Sequence, residues 1–271
     1  MEYTVNGQTI HYRTEGETKA GGHYCLIDDA QDLTAGTRWT ERGFTIEPLF
    51  ENGLHATFQQ KAIALLRQCW ENAGLALAQD FKPEWYHKLV PDQQTHLRAV
   101  EQTKLLTTDR FPVDIRLIEE PISALCAQTL IAENPFDNQQ LFHFRVIRPH
   151  SGDNNPLHRD AWLEDYSDCI NLYIPIAGSN ALSSLILATG SHHWKESRIE
   201  MTTGGALING QKFNVPAVAR ILGPYELVRP DPKPNEVLIF SPYLVHGGAV
   251  NRNTDITRIS IELRLWKKWL I

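Results

Sequence analysis

The 271-residue chain lacks paired cysteines, a long apolar run and an excess of basic residues. None of its four cysteines belongs to a C-x-x-C pair, so neither a zinc site nor a redox dithiol is indicated, and we interpret them as reduced thiols. No apolar run approaches the roughly 18 residues of a membrane span, and residues 1–7 carry no signal-peptide pattern. A net charge of -6 argues against sequence-independent binding of nucleic acid. These absences predict a cytoplasmic protein with no membrane anchor and no nucleic-acid partner.

Length, composition and the order of local patterns predict one domain over residues 1–271. Hydrophobic residues make up 42% of the chain, which suffices for a substantial core. Residues 1–140 contain a hairpin signal at Asn6-Gly7 and helical patterns at 56–79, at 84–90 and from Pro121 onward. Strand patterns follow from residue 141, without βαβ alternation. The order predicts a mainly β protein with flanking helices, in which N-terminal helices buttress a double-stranded β-helix (jelly-roll, cupin-like) core over residues 141–271.

A segment of weak periodicity interrupts the strand region at residues 194–224. It contains Gly204-Gly205 and Pro216, and we interpret it as a lid-like insertion over the mouth of the barrel. Four cations of this segment could meet an anionic substrate, namely Lys195, Arg198, Lys212 and Arg220. Ordinary solvent exposure of these side chains is the favoured interpretation.

The most informative residues of the chain are His158 and Asp160, followed at long range by His246. Alternate residues of a β-strand project from the same side, so His158 and Asp160 can point into one pocket. His246 follows an apolar strand and a turn that contains proline, and it can supply a third ligand from a neighbouring strand. Two imidazoles and one carboxylate hold non-heme Fe(II) on one face and leave the opposite positions open. We therefore predict that these three residues are metal ligands and form the catalytic centre.

Arg258 and Ser260 lie on the next strand-like run after His246. An arginine side chain can bind a carboxylate through two parallel hydrogen bonds, and a serine two residues away on the same face can add a hydroxyl donor. The pair predicts a site for a carboxylate of a co-substrate.

Residues 140–266 resemble the Fe(II)/2-oxoglutarate-dependent dioxygenases, in particular the phytanoyl-CoA dioxygenase-like branch. The resemblance rests on the His158-x-Asp160 pair, His246 and Arg258, together with a Gly-Ser-His turn within residues 185–192 and an apolar strand at residues 235–240. Ala188-Thr189 and Asn235-Glu236 depart from the family's pattern, and none of these four is a proposed ligand.

The resemblance implies an oxygenase that uses Fe(II), 2-oxoglutarate and O2. His158, Asp160 and His246 would ligate the iron, and Arg258 with Ser260 would bind the far carboxylate of 2-oxoglutarate. Asn171 and Tyr173 share a face of a strand that lines the pocket in this family, so they are candidates for contacting the co-substrate or the substrate. The expected reaction is hydroxylation, or a related oxidation, of an aliphatic C–H in a small organic metabolite, with release of succinate and CO2. We expect a monomer or a homodimer.

Two other functions remain open at this stage. A zinc hydrolase could use the same three ligands but would leave Arg258 and Ser260 unexplained. A jelly roll that binds a metabolite without catalysis would leave three convergent ligand-type residues without a purpose. His143 has no partner at a useful spacing and is interpreted as an ordinary residue, and Arg264 is interpreted as part of a solvated strand end.

Overall fold

The fold is mainly antiparallel β-sheet, described by a computed structural model for residues 1–28, 30–50, 53–104, 106–208 and 211–268. Within these ranges the helices are α1 (Leu54–Asn72), α2 (Tyr86–Leu89), α3 (Gln93–Glu101) and α4 (Arg116–Cys126). The strands are β1 (Glu2–Val5), β2 (Gln8–His11), β3 (Thr14–Glu15), β4 (Thr18–Ala20), β5 (Phe44–Pro48), β6 (Leu106–Thr107), β7 (Leu130–Ile131), β8 (Leu141–Ile147), β9 (Cys169–Ala177), β10 (Ile186–Ala188), β11 (Ile199–Thr202), β12 (Ala206–Ile208), β13 (Gln211–Phe213), β14 (Val218–Ile221), β15 (Leu227–Val228), β16 (Glu236–Phe240), β17 (His246–Gly247) and β18 (Arg258–Lys267).

The largest sheet has the strand order β5-β16-β9-β18-β8-β6, and β7 also pairs with β18. Every pairing in it is antiparallel. A smaller sheet of order β15-β10-β17 faces it, and an apolar cluster that includes Tyr173, Leu187 and Phe240 lies between the two. Two facing antiparallel sheets with a cavity between them confirm the predicted jelly-roll core.

Side-chain alternation along the central strands separates the core from the cavity. In β18 the apolar residues Ile259, Ile261, Leu263 and Leu265 pack into the main core, whereas the polar residues Arg258, Glu262 and Arg264 line the cavity. In β8, Phe142, Phe144 and Val146 likewise pack into the main core while His143 and Arg145 line the cavity. Because strand side chains alternate between faces, one face of the sheet packs against the helices and the other lines the cavity.

The helices cover the outer face of the main sheet, as predicted, but their bounds differ from the expected ones. Helix α1 ends at Asn72 rather than near residue 79, and Gly74 takes a positive φ two residues later. Helix α4 begins at Arg116, so Pro121 lies inside the helix rather than in its first turn. An internal proline removes one backbone donor. The main core holds apolar side chains of both helices, including Phe58, Trp70 and Ile122.

Two segments of the chain contain strands that the sequence patterns did not predict. Strands β5 and β6 come from residues 1–140 and join the main sheet, so this part of the chain is more than a hairpin and helices. Residues 194–224 contain β11, β12, β13 and β14 instead of an irregular loop, and β11 pairs with the N-terminal β4 while β12 pairs with β3. Weak periodicity there reflects short strands in small sheets. Residues 209–210, inside the expected lid, lie outside the described residues.

The hairpin signal at Asn6-Gly7 is confirmed, because β1 pairs with β2 across these two residues. The four cysteines are free thiols. Among the described residues, none of the helices combines the length and the apolar character needed to cross a lipid bilayer.

Candidate metal and co-substrate site

His158, Asp160 and His246 meet in the cavity between the two sheets. One ligand-type atom from each lies within 4.8 Å of the others, and all three residues are buried. His158 and His246 form an isolated antiparallel bridge with both backbone N–H···O distances at 2.8 Å. The spacing predicted that Asp160 lies on a strand with His158, but Asp160 instead begins a 3-10 turn, Asp160–Trp162. The bridge and this turn, rather than one extended strand, bring the three residues together.

Backbone carbonyls orient both imidazole rings. The Nδ1 atom of His158 lies 2.8 Å from the carbonyl oxygen of Pro156, and Nδ1 of His246 lies 2.9 Å from that of Leu244. A carbonyl only accepts, so each Nδ1 donates to its carbonyl and each Nε2 faces the cavity. Such contacts fix the tautomer and ring orientation of metal-binding histidines.

The spacing and protonation of the three donors suit a divalent metal. The Oδ1 atom of Asp160 lies 3.3 Å from Nε2 of His158 and 3.6 Å from Nε2 of His246. Ligand atoms about 2.1 Å from one metal and at right angles to each other lie roughly 3 Å apart, close to these values. Burial, with a smaller effect from His158, lowers the pKa of His246 to about 4, so its imidazole is neutral near pH 7. Neutral imidazole is the form that binds metals.

The second oxygen of Asp160 is bound by two side chains from the main sheet. Arg264 donates to Oδ2 at 2.8 Å from Nη2 and 3.3 Å from Nε, and Asn171 donates from Nδ2 at 3.0 Å. Burial opposes ionisation of this carboxyl, but Arg264 and the two histidines hold the pKa of Asp160 well below its usual value. The interpretation of Arg264 as a solvated strand end is therefore wrong, and Asn171 contacts a proposed metal ligand.

Arg258 is almost completely buried, at 1% exposure, in the same cavity. It donates from Nη1 to Oγ of Ser260 at 2.8 Å, and its Nε has no hydrogen-bond partner. The guanidinium carbon lies 5.4 Å from the ring centre of Tyr173, whose hydroxyl is 2.7 Å from Oγ of Ser179. Within the described ranges Arg258 forms no ion pair. The structure thus brings Arg258, Ser260 and Tyr173 together, and the part of the chain that it describes provides no anion for this buried cation.

Arg159 anchors the ligand turn from its other side. It is fully buried, pairs with Glu196 and donates to the backbone oxygen of Ser191. Glu196 also accepts a hydrogen bond from Nε1 of Trp162 at 2.9 Å. Arg159 lies between two proposed ligands in the sequence, and this position is the one local sign of its supporting role.

The rest of the cavity wall carries a second charged cluster that the sequence analysis missed. Glu262 accepts hydrogen bonds from Nε and Nη2 of Arg145 at 3.2 and 2.9 Å, and Nε2 of His143 lies 2.9 Å from its carboxylate. Burial opposes ionisation of Glu262, but Arg145 and His143 hold its pKa well below the usual value. The cavity measures about 200 Å³. An adjoining cavity of about 280 Å³ shares His143, Arg145 and Asn155 with it.

Two of the four cations considered in residues 194–224 are engaged in local contacts. Arg198 donates to the backbone oxygens of Leu222 and Pro224, and Arg220 pairs with Glu200. From this segment Val215 lines the cavity.

Comparisons with known proteins show the fold. No model of a known protein family matches the chain, and no curated protein sequence matches it. AviO1 from Streptomyces viridochromogenes Tue57 is similar in structure, at 15% identity over 90% of this chain and 97% of that one, with a TM-score of 0.50. EvdMO1 is similar at 18% identity over 93% of this chain but only 56% of its own, with a TM-score of 0.50.

A third solved structure is a weaker match. SnoK, a non-heme alpha-ketoglutarate-dependent carbocyclase from nogalamycin biosynthesis, is 11% identical over 91% of this chain and 87% of its own, with a TM-score of 0.48. The phytanoyl-CoA dioxygenase-like branch is not identified by these comparisons, and that assignment stays a prediction.

Proposed function

We propose that this protein is an Fe(II)- and 2-oxoglutarate-dependent oxygenase that oxidises an aliphatic C–H of a small organic metabolite and releases succinate and CO2. The observation that carries the proposal is the buried Arg258, which lacks an ion-pair partner among the described residues and lines the same cavity as the three ligand-type residues. A zinc hydrolase would need the three ligands but not this cation.

The donor set fits a metal that must keep open positions. Two neutral imidazoles and one carboxylate on one face are the ligand set of non-heme Fe(II) oxygenases, and they leave the opposite positions free. His158, Asp160 and His246 would hold the ion through Nε2, Oδ1 and Nε2. Bound iron would supply, with 2-oxoglutarate and O2, the oxidising chemistry that attacks a C–H bond.

Arg258 supplies the reason to choose a dicarboxylate co-substrate. A buried cation without a partner is costly, whereas a carboxylate bound to it by two parallel hydrogen bonds removes much of that cost. Ser260 holds one edge of the guanidinium, and Nε on another edge has no acceptor. One carboxylate of 2-oxoglutarate would pair with Arg258, while the keto acid end faces the metal ligands.

The remaining wall favours a small substrate that has both apolar and polar parts. Leu163, Leu185 and Phe240 provide apolar surface near the metal ligands, and His143 and Arg145 form the wall common to both cavities. Apolar walls with a few fixed polar groups are typical of small-molecule sites. The substrate would place its reacting C–H near the ligands and its polar groups toward His143 and Arg145.

An anaerobic titration of metal-free protein with Fe(II) and then 2-oxoglutarate tests the proposal. We expect a visible metal-to-ligand charge-transfer band in wild type, loss of the band in His246→Ala, and a requirement for at least tenfold more 2-oxoglutarate in Arg258→Met. Arg220→Ala is the matched control, because it removes an arginine that is exposed and pairs with Glu200. Folded wild type that binds metal without this band would refute the oxygenase assignment and favour a hydrolase. Folded wild type that binds no metal would favour a metabolite-binding protein.

A further inference from the structure

The two carboxylate oxygens of Asp160 have different surroundings. Oδ1 faces Nε2 of His158 and of His246, at 3.3 and 3.6 Å. Oδ2 points away from them and accepts hydrogen bonds from Arg264 and Asn171 at 2.8 and 3.0 Å. Only Oδ1 is therefore placed among the nitrogen atoms that would bind a metal.

The donors at Oδ2 also occupy its lone pairs. A carboxylate oxygen has about two lone-pair sites, and here Nη2 of Arg264 and Nδ2 of Asn171 each donate to it, with Nε of Arg264 as a third, longer contact at 3.3 Å. A metal can bind through both oxygens of a carboxylate only when both have a free lone pair. Oδ2 has none available unless it loses the hydrogen bond from Arg264 or the one from Asn171.

We propose that Arg264 and Asn171 are positioning residues that restrict Asp160 to metal binding through Oδ1 alone and thereby keep one coordination position free for the co-substrate. This inference rests on the proposed function for its co-substrate part only. Nothing in the ligand motif itself prevents Asp160 from binding through both oxygens, so the restriction must come from these two neighbours.

The sheet fixes both donors in place. Arg264 of β18 and Asn171 of β9 are directly opposite each other in the antiparallel register. The guanidinium of Arg264 also lies over the ring of Tyr166, 4.2 Å from its centre, in the 3-10 turn Glu164–Tyr166 that follows Asp160. A planar cation held between a carboxylate and an aromatic face has little freedom to move away.

A comparison within β18 supports a specific role for Arg264. Arg258 and Arg264 project into the same cavity from the same strand face, but only Arg264 has a carboxylate partner among the described residues. The strand thus presents one arginine that is already neutralised by Asp160 and one that is available to an external anion. Each arginine is accordingly assigned to a different carboxylate.

The test uses Co(II), whose visible d–d bands respond to the identity, the number and the arrangement of its ligands. We expect Arg264→Met and Asn171→Leu to change the energy and the intensity of these bands relative to wild type, because Oδ2 becomes free to bind in place of another ligand. We also expect at least tenfold weaker binding of N-oxalylglycine, an unreactive analogue of 2-oxoglutarate, to the Co(II) protein, in line with the usual effect of losing such contacts. Arg264→Lys keeps the charge without the planar fork and should lie between Arg264→Met and wild type.

Thermal unfolding of the metal-free variants provides the control for a merely structural role. Such a role would lower the melting temperature and leave the Co(II) spectrum of the folded fraction as in wild type. Wild-type spectra in both Arg264→Met and Asn171→Leu would overturn the inference, as would wild type that binds no Co(II). If one variant does not fold, the other decides the outcome. Wild type that binds Co(II) but not N-oxalylglycine would refute the proposed co-substrate, while the spectra would still test the role at Asp160.

Discussion

Gly247, next to the proposed ligand His246, is a position where one added methyl group should damage the site. Its φ of +119° is strained for any residue with a side chain, and an added Cβ would lie 2.2 Å from the backbone oxygen of Pro156. Since a C···O contact needs about 3.3 Å, one of the two segments must move by roughly 1 Å. The backbone strain costs about 1–3 kcal/mol and the overpacking about 1–3 kcal/mol more. We expect Gly247→Ala to lower the free energy of unfolding by about 2–6 kcal/mol.

The same substitution should weaken metal binding, because the oxygen of Pro156 is the acceptor that orients Nδ1 of His158. Displacing it should reduce Co(II) affinity by about 10–100-fold. Gly36→Ala is the control: Gly36 has a φ of +76°, but its added Cβ would meet nothing within 4 Å. Urea unfolding followed by circular dichroism measures stability, and a Co(II) titration measures affinity. The reasoning fails if Gly247→Ala loses no more stability than Gly36→Ala and binds Co(II) as wild type does.

Three further predictions concern the parts of the fold that support the site. Burial lowers the pKa of His96 from 6.5 to about 4, so the folded protein keeps this imidazole neutral between pH 6.5 and 4 while the unfolded chain protonates it. The free energy of unfolding should therefore fall by at most about 3 kcal/mol as the pH falls from 6.5 toward 4. His96→Gln should flatten the profile of stability against pH in that window, and an unchanged profile would contradict the assignment. Trp70→Ala should cost about 3–5 kcal/mol in urea unfolding because the side chain is completely buried, and a loss under 1 kcal/mol would be inconsistent with that packing. Arg159→Met should lower the free energy of unfolding by about 3–5 kcal/mol, because Glu196 would stay buried without its cation. Adding Glu196→Gln should restore part of this stability, and losses that simply add in the double variant would argue against coupling of the two residues.

Local sequence patterns predicted the features of the fold that depend on neighbouring residues, namely the faces of a strand and the position of a tight turn. The alternation of polar and apolar residues from Arg258 onward corresponds to the two faces of β18, and the Asn6-Gly7 turn corresponds to the hairpin of β1 and β2. The same alternation also identifies further residues of the cavity. It places Glu262 and Arg264 on the face of Arg258, which is the face of the cavity.

Long-range partners could not be predicted in the same way, because they depend on which strands become neighbours. His143 is 119 positions from Glu262 and Arg264 is 104 from Asp160, and no local pattern connects them. The antiparallel register of β8 and β18 places His143 opposite Glu262, whereas Arg264 meets Asp160 only because the 3-10 turn of Asp160 folds back against β18. The short strands within residues 194–224 were missed for a related reason, since they are stabilised by pairing with β3 and β4 rather than by their own periodicity.

The two arginines of β18 illustrate how far the function depends on this register. In the sequence both are cations on one strand face, and nothing local says which of them meets a carboxylate within the protein. The fold places Asp160 at Arg264 and leaves Arg258 with only a hydroxyl partner among the described residues. A buried cation tends to acquire an anion, and the two carboxylates that line this cavity among the described residues, Asp160 and Glu262, are already bound by Arg264 and Arg145. We therefore expect a ligand to supply the anion for Arg258. The assignment of an external carboxylate to Arg258 therefore follows from the position of Arg264 as much as from Arg258 itself.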